Sequence, residues 1–496
     1  MSEPLKGGNG TLFVQLDGPN SPVHYLGCHE LGDIEEPLGD LNLLWCKDAS
    51  APNKFKVVGS YEGEPGAISS SVTTEVLKTA DWLEGLRCPA TLFANMNECG
   101  RMDVFENWTR SFILEAVRVT SKRLSKLVVR KPSENDESTQ GFDIQAVALH
   151  RLVEVNINRQ TVREDFALND VVFCNDPRCQ DDCGVALDYC QSGYAVGDMQ
   201  PASALDQADV LVTANGGEDA WPGTLTDPFA AGMDIASTVC VEIGGGVTRT
   251  IVARGTTDAG PMDIAYSDDG GVTWTLVAVG ATNTQYATMG GTLFALDMYH
   301  IWVVTTGCYI YFSDDGGVTW TAQHSGTLET ENLNHIDFAD ENHGVAVGVK
   351  NTILYTDDGG ATWELITGPA TQNDNPILCV DVRDQYCWWM GYGTDGDLYY
   401  TEDGATFLQR DYPEAATHVN LRDITFYNDL VAFMVSDTAA AGGHVYRSIN
   451  GGASWKQLTT PTNAGLNAAW ACNVNLAYFV GEPSGTTAVM LKLAAV

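Results

Sequence analysis

The chain has 496 residues, of which 44% are hydrophobic; this is too long for one hydrophobic core, so at least two domains are expected. Its 65 Asp and Glu residues outnumber its 27 Lys and Arg residues, which gives a formal net charge of −38. A field of that sign repels nucleic-acid phosphates and anionic membrane surfaces, and this excludes a charge-led DNA-binding role. No stretch approaches the roughly 18 to 20 apolar residues of a membrane span, and residues 1–13 lack the apolar centre of a secretory signal, so a soluble protein is expected.

The acidic excess is concentrated in the C-terminal half of the chain. Residues 1–150 hold 14 Lys and Arg against 21 Asp and Glu, whereas residues 201–496 hold 9 against 35. Solubility, or adaptation to high salt, is the simplest explanation of such a charge.

Residues 1–160 are predicted to be rich in β-strand, with one helix. Runs of β-branched and aromatic residues predict strands at 11–16, 24–28, 54–63, 67–76, 90–96, 102–108, 112–120 and 126–131. Thr79 is a suitable N-cap for the helix, Asp81 favours its first turn, and Pro89 ends it. The polar residues 132–141 predict a mobile loop between strands. Residues 142–160 predict one long strand, or two strands joined by a bend near His150 and Arg151.

The segment 161–204 has few apolar runs and is predicted to connect two domains. It contains a cysteine cluster, which consists of Cys174, Cys179, Cys183 and Cys190. The spacing C-x4-C-x3-C-x6-C differs from zinc sites that are built on C-x2-C pairs. Free thiols or disulfides are therefore favoured over zinc, and the residues do not decide between those two.

From residue 205 onward an eight-residue pattern recurs. Residues 267–274 and 313–320 both read SDDGGVTW, residues 356–363 read TDDGGATW, and residues 448–455 read SINGGASW. Two further copies are altered: residues 401–407 lack one glycine and end in Phe, and residues 213–221 have one residue inserted before the Trp. The closing aromatic residues are 43 to 53 residues apart, which is the length of a four-stranded blade of a β-propeller.

Each copy is predicted to form a turn between two strands that its own side chains stabilise. The Asp or Asn accepts hydrogen bonds from backbone N–H groups, the Gly adopts positive φ, and the Trp packs between blades. The residues assigned to this structural role are Asp269, Trp274, Asp315, Trp320, Asp358, Trp363, Asp403, Phe407, Asn450 and Trp455. Clustered carboxylates can also hold a hard cation, but no further oxygen ligands follow calcium-loop spacing, so neither a metal nor a cofactor is predicted.

The repeat is similar to the Asp-box, or BNR, repeat. Residues 205–496 resemble the Asp-box propellers of sialidases, sortilin-like receptors and photosystem II assembly factors, and this implies a propeller, which we predict to have six blades. The first copy has few strands before it, and the last segment has strands but no Asp-box. The strand at Val210–Thr213 is therefore expected to complete the last blade, beside residues 477–482 and 488–493.

The resemblance to sialidases does not extend to their catalytic residues. An early Arg-Ile-Pro element is absent, and only six arginines lie in residues 205–496, of which Arg447 is expected at a blade surface. The motifs of serine hydrolases, HExxH metalloproteases and P-loop proteins are absent too. His324, His335 and His343 are interpreted as ordinary polar residues. The sequence therefore predicts a protein that is not an enzyme.

The run Cys-Trp-Trp-Met at residues 387–390 is predicted to lie in a blade strand. Strand tryptophans are usually buried, so Trp388 and Trp389 are expected in the core. The alternative is that one of them is exposed and stacks on a sugar.

Residues 1–160 resemble the tail-tube proteins of long-tailed bacteriophages. The likeness lies in residues 55–76, whose strands lead into the helix TADWLEGLR, and in residues 104–120, where a turn containing Trp leads into the closing strands. It implies a tail-tube-like β-sandwich with one helix, which assembles as hexameric rings. The whole chain is then a mainly β protein, with this domain at 1–160, the connecting segment at 161–204 and the propeller at 205–496.

The function implied by this resemblance is that of a structural virion protein. The tube subunits would stack in rings around a DNA-conducting lumen, with the propeller outside and able to contact host surface polymers. The expected partners are copies of the chain, other tail proteins, genome DNA that passes without sequence-specific contact, and a host surface glycan, with no membrane contact. The expected location is the virion tail, after assembly in the host cytoplasm.

Two other functions remain open. One is a non-catalytic propeller that binds a protein partner, similar to the photosystem II assembly factors, and the other is a sialidase-like glycan-binding protein. The lack of a targeting segment and the tube-like N-terminal part favour the virion protein over both.

Overall fold

A computed structural model of the chain divides into two compact units, with the division between Glu154 and Val155. In the N-terminal unit it describes the backbone of the strands given below. In the C-terminal unit it describes residues 155–160, 162, 167–174, 192–197, 210–214, 221, 228–229, 234–243, 247–255, 262–279, 291–325, 331–372, 374–413, 420–427, 431–437, 442–473, 475–484 and 487–495. No helix within these residues is long and apolar enough to cross a membrane.

The N-terminal unit contains nine described strands. They are β1 (Gly8–Gln15), β2 (Val23–Leu31), β3 (Leu41–Lys47), β4 (Phe55–Glu62), β5 (Ile68–Thr74), β6 (Ala90–Asn95), β7 (Ser111–Lys126), β8 (Thr139–Ala146) and β9 (Ala148–Leu152). Strands β3 and β4 form a hairpin, and the others form one sheet in the order β6-β1-β2-β5-β8-β7-β9. Because β6 also pairs with β7, part of this sheet closes into a ring.

Most of the N-terminal strands overlap the predicted ones. Strand β3 was not predicted, and the strand expected at 112–120 is part of the longer strand β7, which continues to Lys126. Residues 127–131 of the strand expected at 126–131 lie outside the described residues. The helix expected from Thr79 and the strand at 102–108 lie outside the described residues. These strand pairings do not establish a tail-tube fold.

The C-terminal unit is a β-propeller of seven blades, each of which is an antiparallel sheet. Blade 1 has β11 (Leu168–Phe173), β12 (Gly193–Gly197) and β13 (Val210–Thr213), and blade 2 has β14 (Ile235–Glu242), β15 (Thr248–Arg254), β16 (Met262–Ser267) and β17 (Thr275–Val279). Blade 3 has β18 (Leu293–Asp297), β19 (His300–Thr305), β20 (Tyr309–Ser313) and β21 (Thr321–Ser325), and blade 4 has β22 (Leu333–Phe338), β23 (Gly344–Gly348), β24 (Ile353–Thr356) and β25 (Glu364–Leu365). Blade 5 has β26 (Ile377–Val382), β27 (Trp388–Tyr392), β28 (Leu398–Thr401) and β29 (Phe407–Arg410), and blade 6 has β30 (Asn420–Phe426), β31 (Ala432–Asp437), β32 (His444–Ser448) and β33 (Lys456–Leu458). Blade 7 has β34 (Leu466–Asn473), β35 (Leu476–Gly481) and β36 (Val489–Ala495), and it is completed by β10 (Val155–Arg159). Short 3-10 helices occur at Val349–Asn351 and Ala370–Gln372.

The prediction of six blades is wrong because blade 7 is closed from the other end of the chain. Strand β10 pairs with β36, so no turn joins the third and fourth strands of this blade and no Asp-box can occur in it. The strand Val210–Thr213, expected to complete the last blade, is instead the third strand of blade 1. The segment expected to be a connection at 161–204 supplies the first two strands of that blade, so the propeller begins at Val155 rather than at residue 205.

The first strands of the blades form the innermost ring of the propeller, and we call them the inner strands. Each one contacts the inner strands of both neighbouring blades, and β34 contacts β11. Buried hydrophobic residues fill the spaces between adjacent blades. For example, the fully buried Trp302 of blade 3 stacks on Phe338 of blade 4 with ring centroids 3.7 Å apart. Each blade therefore buries its faces against its neighbours, as propeller geometry requires.

Two predictions about individual side chains have opposite outcomes. Trp388 and Trp389 are 1% and 4% exposed, which confirms that they belong to the core and excludes sugar stacking by either ring. Arg447 does not lie at a blade surface as predicted, because it is completely buried. Its guanidinium donates to Asn475 Oδ1 and lies over the Phe433 ring, and burial lowers its pKa to about 9.

Candidate functional site

The inner strands share a backbone irregularity that sets the direction of the side chains after it. In six blades the pairing register shifts just after the first residue that pairs with the neighbouring strand, or in blade 6 after the second. The residues directly after this bulge are Asp170, Ser237, His335, Cys379, Asp423 and Ala468. A β-bulge re-aims the following side chains. These six residues therefore occupy equivalent positions around the ring, and we call this the first level.

Carboxylates at the first level connect neighbouring blades. Asp170 of blade 1 accepts hydrogen bonds from Thr238 N at 2.9 Å and Ser237 Oγ at 2.8 Å, both in blade 2. Asp423 of blade 6 accepts one from Ala469 N of blade 7 at 2.8 Å. The inter-blade contact is thus a side-chain acceptor on one blade and a backbone donor on the next.

A second level lies two residues further along the inner strands, on the same side of each strand. Here Asp337 of blade 4 accepts a hydrogen bond from Val382 N of blade 5. Asp381 of blade 5 accepts one from Phe426 N of blade 6 at 2.9 Å. Three of the four carboxylates of the two levels therefore lie on consecutive blades, 4 to 6. The fourth, Asp170, lies on blade 1.

Burial disfavours the ionised form of several of these carboxylates. It raises the pKa of Asp170 to about 6, against the hydrogen bonds from Thr238 and Ser237, which lower it. It also raises the pKa of Asp381 to about 6, against the attraction of Arg383. The pKa of Asp337 is raised well above its ordinary value, first by burial and next by repulsion from Asp381. Holding these groups ionised at neutral pH is therefore unfavourable in the free protein.

The inner strands line a cavity of about 190 Å³ to which both levels contribute. We call it the central cavity. Its polar side chains include the four carboxylates, His335 and Thr425, and its apolar ones include Leu293, Phe294 and Trp470. A volume of this size holds about six water molecules, or one long side chain.

Few cationic groups accompany the carboxylates of the central cavity. His335 Nε2 lies 3.7 Å from Asp423 Oδ1, and Arg383 Nη1 lies 3.9 Å from Asp381 Oδ1. Two polar atoms of the lining are buried and have no hydrogen-bond partner: Asp381 Oδ1 and His335 Nδ1. The cavity is therefore acidic, and one buried carboxylate oxygen in it accepts no hydrogen bond.

The Asp-box turns lie away from this cavity, at the junction of the third and fourth strands of their blades. Asp269 accepts hydrogen bonds from Thr273 N at 2.8 Å and Thr273 Oγ1 at 2.6 Å, and Ser267 Oγ donates to it at 2.9 Å. The Thr273 hydroxyl is the main cause of the lowered pKa of Asp269. Glycines with positive φ follow, as at Gly271 with φ of 87°.

The other predicted Asp-box residues repeat this geometry with small variations. Asp315 and Asp358 make the same bonds to Thr319 and Thr362. In the altered copies, Asn450 accepts from Ser454 N at 3.0 Å, and Asp403 accepts from Ala405 N at 2.9 Å. Every carboxylate oxygen bonded in this way serves its own turn, so the turns act as hairpin braces.

The closing aromatic residues of the Asp-boxes differ in burial. Trp363 and Trp455 are 8% and 5% exposed, whereas Trp274, Trp320 and Phe407 are half-buried. All of them pack on the hydrophobic clusters between blades.

Hairpins between the first and second strands lie at the same end of the blades as the Asp-boxes. Backbone hydrogen bonds join the two turns within a blade, from Gly316 N to Met298 O and from Gly404 N to Tyr386 O. Three tyrosines in or beside these hairpins are exposed: Tyr299, Tyr386 and Tyr427, at 56%, 51% and 36%. This end of the propeller therefore presents aromatic side chains to solvent.

The cysteine cluster is only partly within the described residues. Cys174 forms a disulfide with Cys240, which links the inner strands of blades 1 and 2. Cys179, Cys183 and Cys190 lie outside the described residues. No group of three metal-ligating side chains is found among the residues with described positions.

The carboxylates of the central cavity were not predicted from the sequence, although the inner strands contain a pattern that indicates them. The inner strands read LNDVVF, LNHIDF, ILCVDV, LRDITF and LNAAWA at residues 168–173, 333–338, 377–382, 421–426 and 466–471. Aligning these segments would have shown aspartates at two fixed positions. The same alignment explains the asparagines, since Asn169 and Asn334 donate to the first residue of the next inner strand at 2.9 and 2.8 Å.

Comparison with known families defines the class of the protein. The model for the BNR/Asp-box repeat matches residues 265–276 and 311–322, which are the Asp-box turns of blades 2 and 3 with their flanking residues. With the seven blades, this makes the chain an Asp-box β-propeller protein.

A more particular similarity covers blades 4 to 6. The family model described as photosynthesis system II assembly factor YCF48 matches residues 326–464, which is less than half of the chain. No curated protein matches the sequence.

Several solved propellers are similar in structure. YCF48 from Cyanidioschyzon merolae is 18% identical with a TM-score of 0.49, over 68% of this chain and 98% of that one. YCF48 bound to D1 peptide is 14% identical with a TM-score of 0.49, over 68% and 95%. Virginiamycin B lyase from Staphylococcus aureus is 10% identical with a TM-score of 0.48, over 69% and 100%. Similarity of this degree supports no argument about function.

The assembly-factor match overturns the prediction of a bacteriophage tail-tube subunit and supports the alternative of a protein-binding propeller. Neither family match falls within residues 1–154. The tube resemblance depended on an order of strands around one helix, which many β-rich domains share. The rings, the tail-protein partners, the DNA lumen and the host glycan came from that resemblance and have no support. The location in a virion tail stays a prediction.

Proposed function

We propose that this chain is a non-catalytic propeller that binds a segment of a partner protein. The observation that carries the proposal is the coincidence of two features on blades 4 to 6. These blades match the family of an assembly factor, over residues 326–464, and they also carry Asp337, Asp381 and Asp423 of the central cavity.

The chemistry of the cavity favours binding over catalysis. Cys379, a side chain of nucleophilic type at the first level, is completely buried, and its thiol donates to Leu421 O at 3.7 Å. Burial raises its pKa well above the ordinary value, so it stays an unreactive thiol.

The exposed tyrosines support a protein ligand. Tyr386 and Tyr427 belong to the hairpins that follow the inner strands of blades 5 and 6. Aromatic side chains are enriched at protein interfaces, where they supply large contact areas at little loss of side-chain entropy. For this chain we propose only the class of ligand, a protein segment.

Site-specific photo-crosslinking tests the proposal. A photoreactive amino acid replaces Thr425, which lines the central cavity, or Glu364, which is exposed on the outer strand of blade 4. Each variant is irradiated in an extract of the cells that make the protein. We expect a protein adduct from position 425 and not from position 364. Equal adducts from both positions, or none from position 425, would reject the proposal.

A further inference from the structure

The connection between blades does not require that the aspartates of the central cavity carry a carboxylate. At the junction of blades 2 and 3 the same inter-blade contact is made by a neutral side chain, because Ser237 Oγ accepts from Leu293 N at 3.2 Å. A neutral acceptor is therefore sufficient to connect two blades. Burying a carboxylate is unfavourable, and the single Arg383 does not offset this for Asp337 and Asp381, whose pKa values stay raised, so the choice of aspartate at these positions needs another explanation.

Part of the carboxylate chemistry in the cavity is unused. Asp381 Oδ2 accepts a hydrogen bond from Phe426 N, whereas its buried Oδ1 accepts none and lies 3.9 Å from Arg383 Nη1. His335 Nδ1, in the same lining, is also buried without a hydrogen-bond partner. A buried polar atom without a hydrogen-bond partner needs an explanation, and a water molecule or a ligand atom that binds there is one.

The lining favours a ligand that carries a positive charge at the end of a flexible chain. The lining combines four carboxylates with an apolar wall of Leu293, Phe294 and Trp470, and it encloses about 190 Å³. A bare metal ion is disfavoured, because the described side chains include no group of three ligands placed to hold one. A flexible alkyl chain that ends in an ammonium or guanidinium group suits both the wall and the carboxylates.

We propose that the central cavity binds a Lys or Arg side chain of the partner segment, with Asp337 and Asp381 as its acceptors and Asp423 beside them. The inference rests on the proposed function, since it names the chemistry by which a protein segment is recognised. The overall charge agrees with it: residues 201–496 hold 35 acidic and only 9 basic residues, and this attracts a basic segment. The raised pKa values of Asp337 and Asp381 agree too, because a bound cation relieves the unfavourable charge.

Selection of random peptides on the full chain tests this inference. A displayed library of 12-residue random peptides is selected on the wild-type chain, on the double variant Asp337→Asn and Asp381→Asn, and on the control Glu364→Gln and Glu402→Gln. The control removes the same charge from exposed positions. We expect wild type and control to enrich peptides with Lys or Arg at one fixed position, and the cavity variant to lose that enrichment.

The outcomes separate the two proposals. If no peptide is enriched on the wild type, the protein-binding function itself fails. If peptides are enriched without a fixed basic residue, or if the cavity variant enriches the same basic peptides, the function stands and the cation site is wrong.

A second experiment changes the peptide and keeps the wild-type chain, so misfolding of a protein variant cannot explain a loss of binding. Fluorescence anisotropy compares one selected peptide with a version whose fixed Lys is acetylated, or whose fixed Arg is replaced by citrulline, both on the wild-type chain. We expect the dissociation constant to rise about tenfold or more. An unchanged constant would overturn the inference. In a third experiment free spermidine competes with the selected peptide at low salt. If only millimolar concentrations displace the peptide, the site is specific for a protein side chain. Competition at micromolar amounts would assign the cavity to a small amine instead.

Discussion

Neutralising Asp381 is predicted to stabilise the protein at alkaline pH. Its pKa is about 6 in the folded chain against 3.8 as the ordinary value, a difference of about 2 units at 1.36 kcal/mol each. Keeping the carboxylate ionised above pH 7 therefore lowers the free energy of unfolding by up to about 3 kcal/mol. Asn keeps an oxygen for Phe426 N, so Asp381→Asn is expected to gain about 1 to 3 kcal/mol at pH 8.

The contribution of Asp381 to the free energy of unfolding depends on pH in the opposite sense to that of most aspartates, whose pKa is lowered by folding. A folded-state pKa that is raised means that the folded chain binds more protons than the unfolded chain between about pH 4 and 6. The contribution of Asp381 is therefore most favourable below pH 4 and is lost as the pH rises through about 6. The charged and titratable groups that face Asp381 are Asp337, Asp423, Arg383 and His335. At pH 4.5 the variant should have no advantage over the wild type.

Urea unfolding between pH 4.5 and pH 8 measures the effect. Tryptophan fluorescence reports mainly on the propeller, because nine of the 12 tryptophans lie beyond residue 155. Glu364→Gln, an exposed neutralisation, is the control and should leave the pH profile unchanged. If Asp381→Asn lowered the free energy of unfolding equally at both pH values, the carboxylate would act only as a connection between blades, and the reasoning about its charge would be refuted.

Three further predictions concern the scaffold. Trp302→Ala should lower the free energy of unfolding by about 3 to 5 kcal/mol, because the ring is completely buried. Trp320→Ala should lower it by about half as much, because that ring is half-buried. Equal losses in urea unfolding would contradict this dependence on burial. Gly360→Ala should lower the free energy of unfolding by about 1 to 2 kcal/mol, since φ is 87° at this residue and a Cβ would lie 2.0 Å from Gln323 Oε1. An unchanged melting temperature would contradict this, because it would show that the turn relaxes without strain. A version of the chain that begins at residue 155 should form a monomeric closed propeller by size-exclusion chromatography, whereas one that begins at residue 161 lacks β10 and should associate through the exposed edge of β36; identical behaviour of the two would contradict the closure.

The parts of the fold that sequence reasoning predicted are those determined locally. The Asp-box turn is made by residues at most eight positions apart, so Asp269, Gly271 and Thr273 carry the whole signal within one stretch. The closure of blade 7 could not be found in this way. Strand β10 and strand β36 are over 300 residues apart, and β10 has no feature that distinguishes it from an N-terminal strand.

The candidate site was missed for a similar reason. Asp337 and Asp381 make hydrogen bonds to residues one blade further on, at a separation of 45 positions, so no local motif contains both partners. Arg447 shows the same limit, because an arginine before an Asp-box looks exposed in sequence although strand β32 places it inside blade 6. Repeats therefore have to be aligned blade by blade before their polar residues can be interpreted.

Proton release on peptide binding tests the central claim most directly, namely that carboxylates in the central cavity receive a cation. A selected basic peptide is titrated into the full chain by calorimetry at pH 6 in buffers of different ionisation enthalpy, and again at pH 8. A cation bound at Asp381 and Asp337 keeps them ionised, so at pH 6 the complex should release about half a proton or more, and at pH 8 less than at pH 6. Binding at pH 6 that releases no proton, or that takes one up, would contradict the claim.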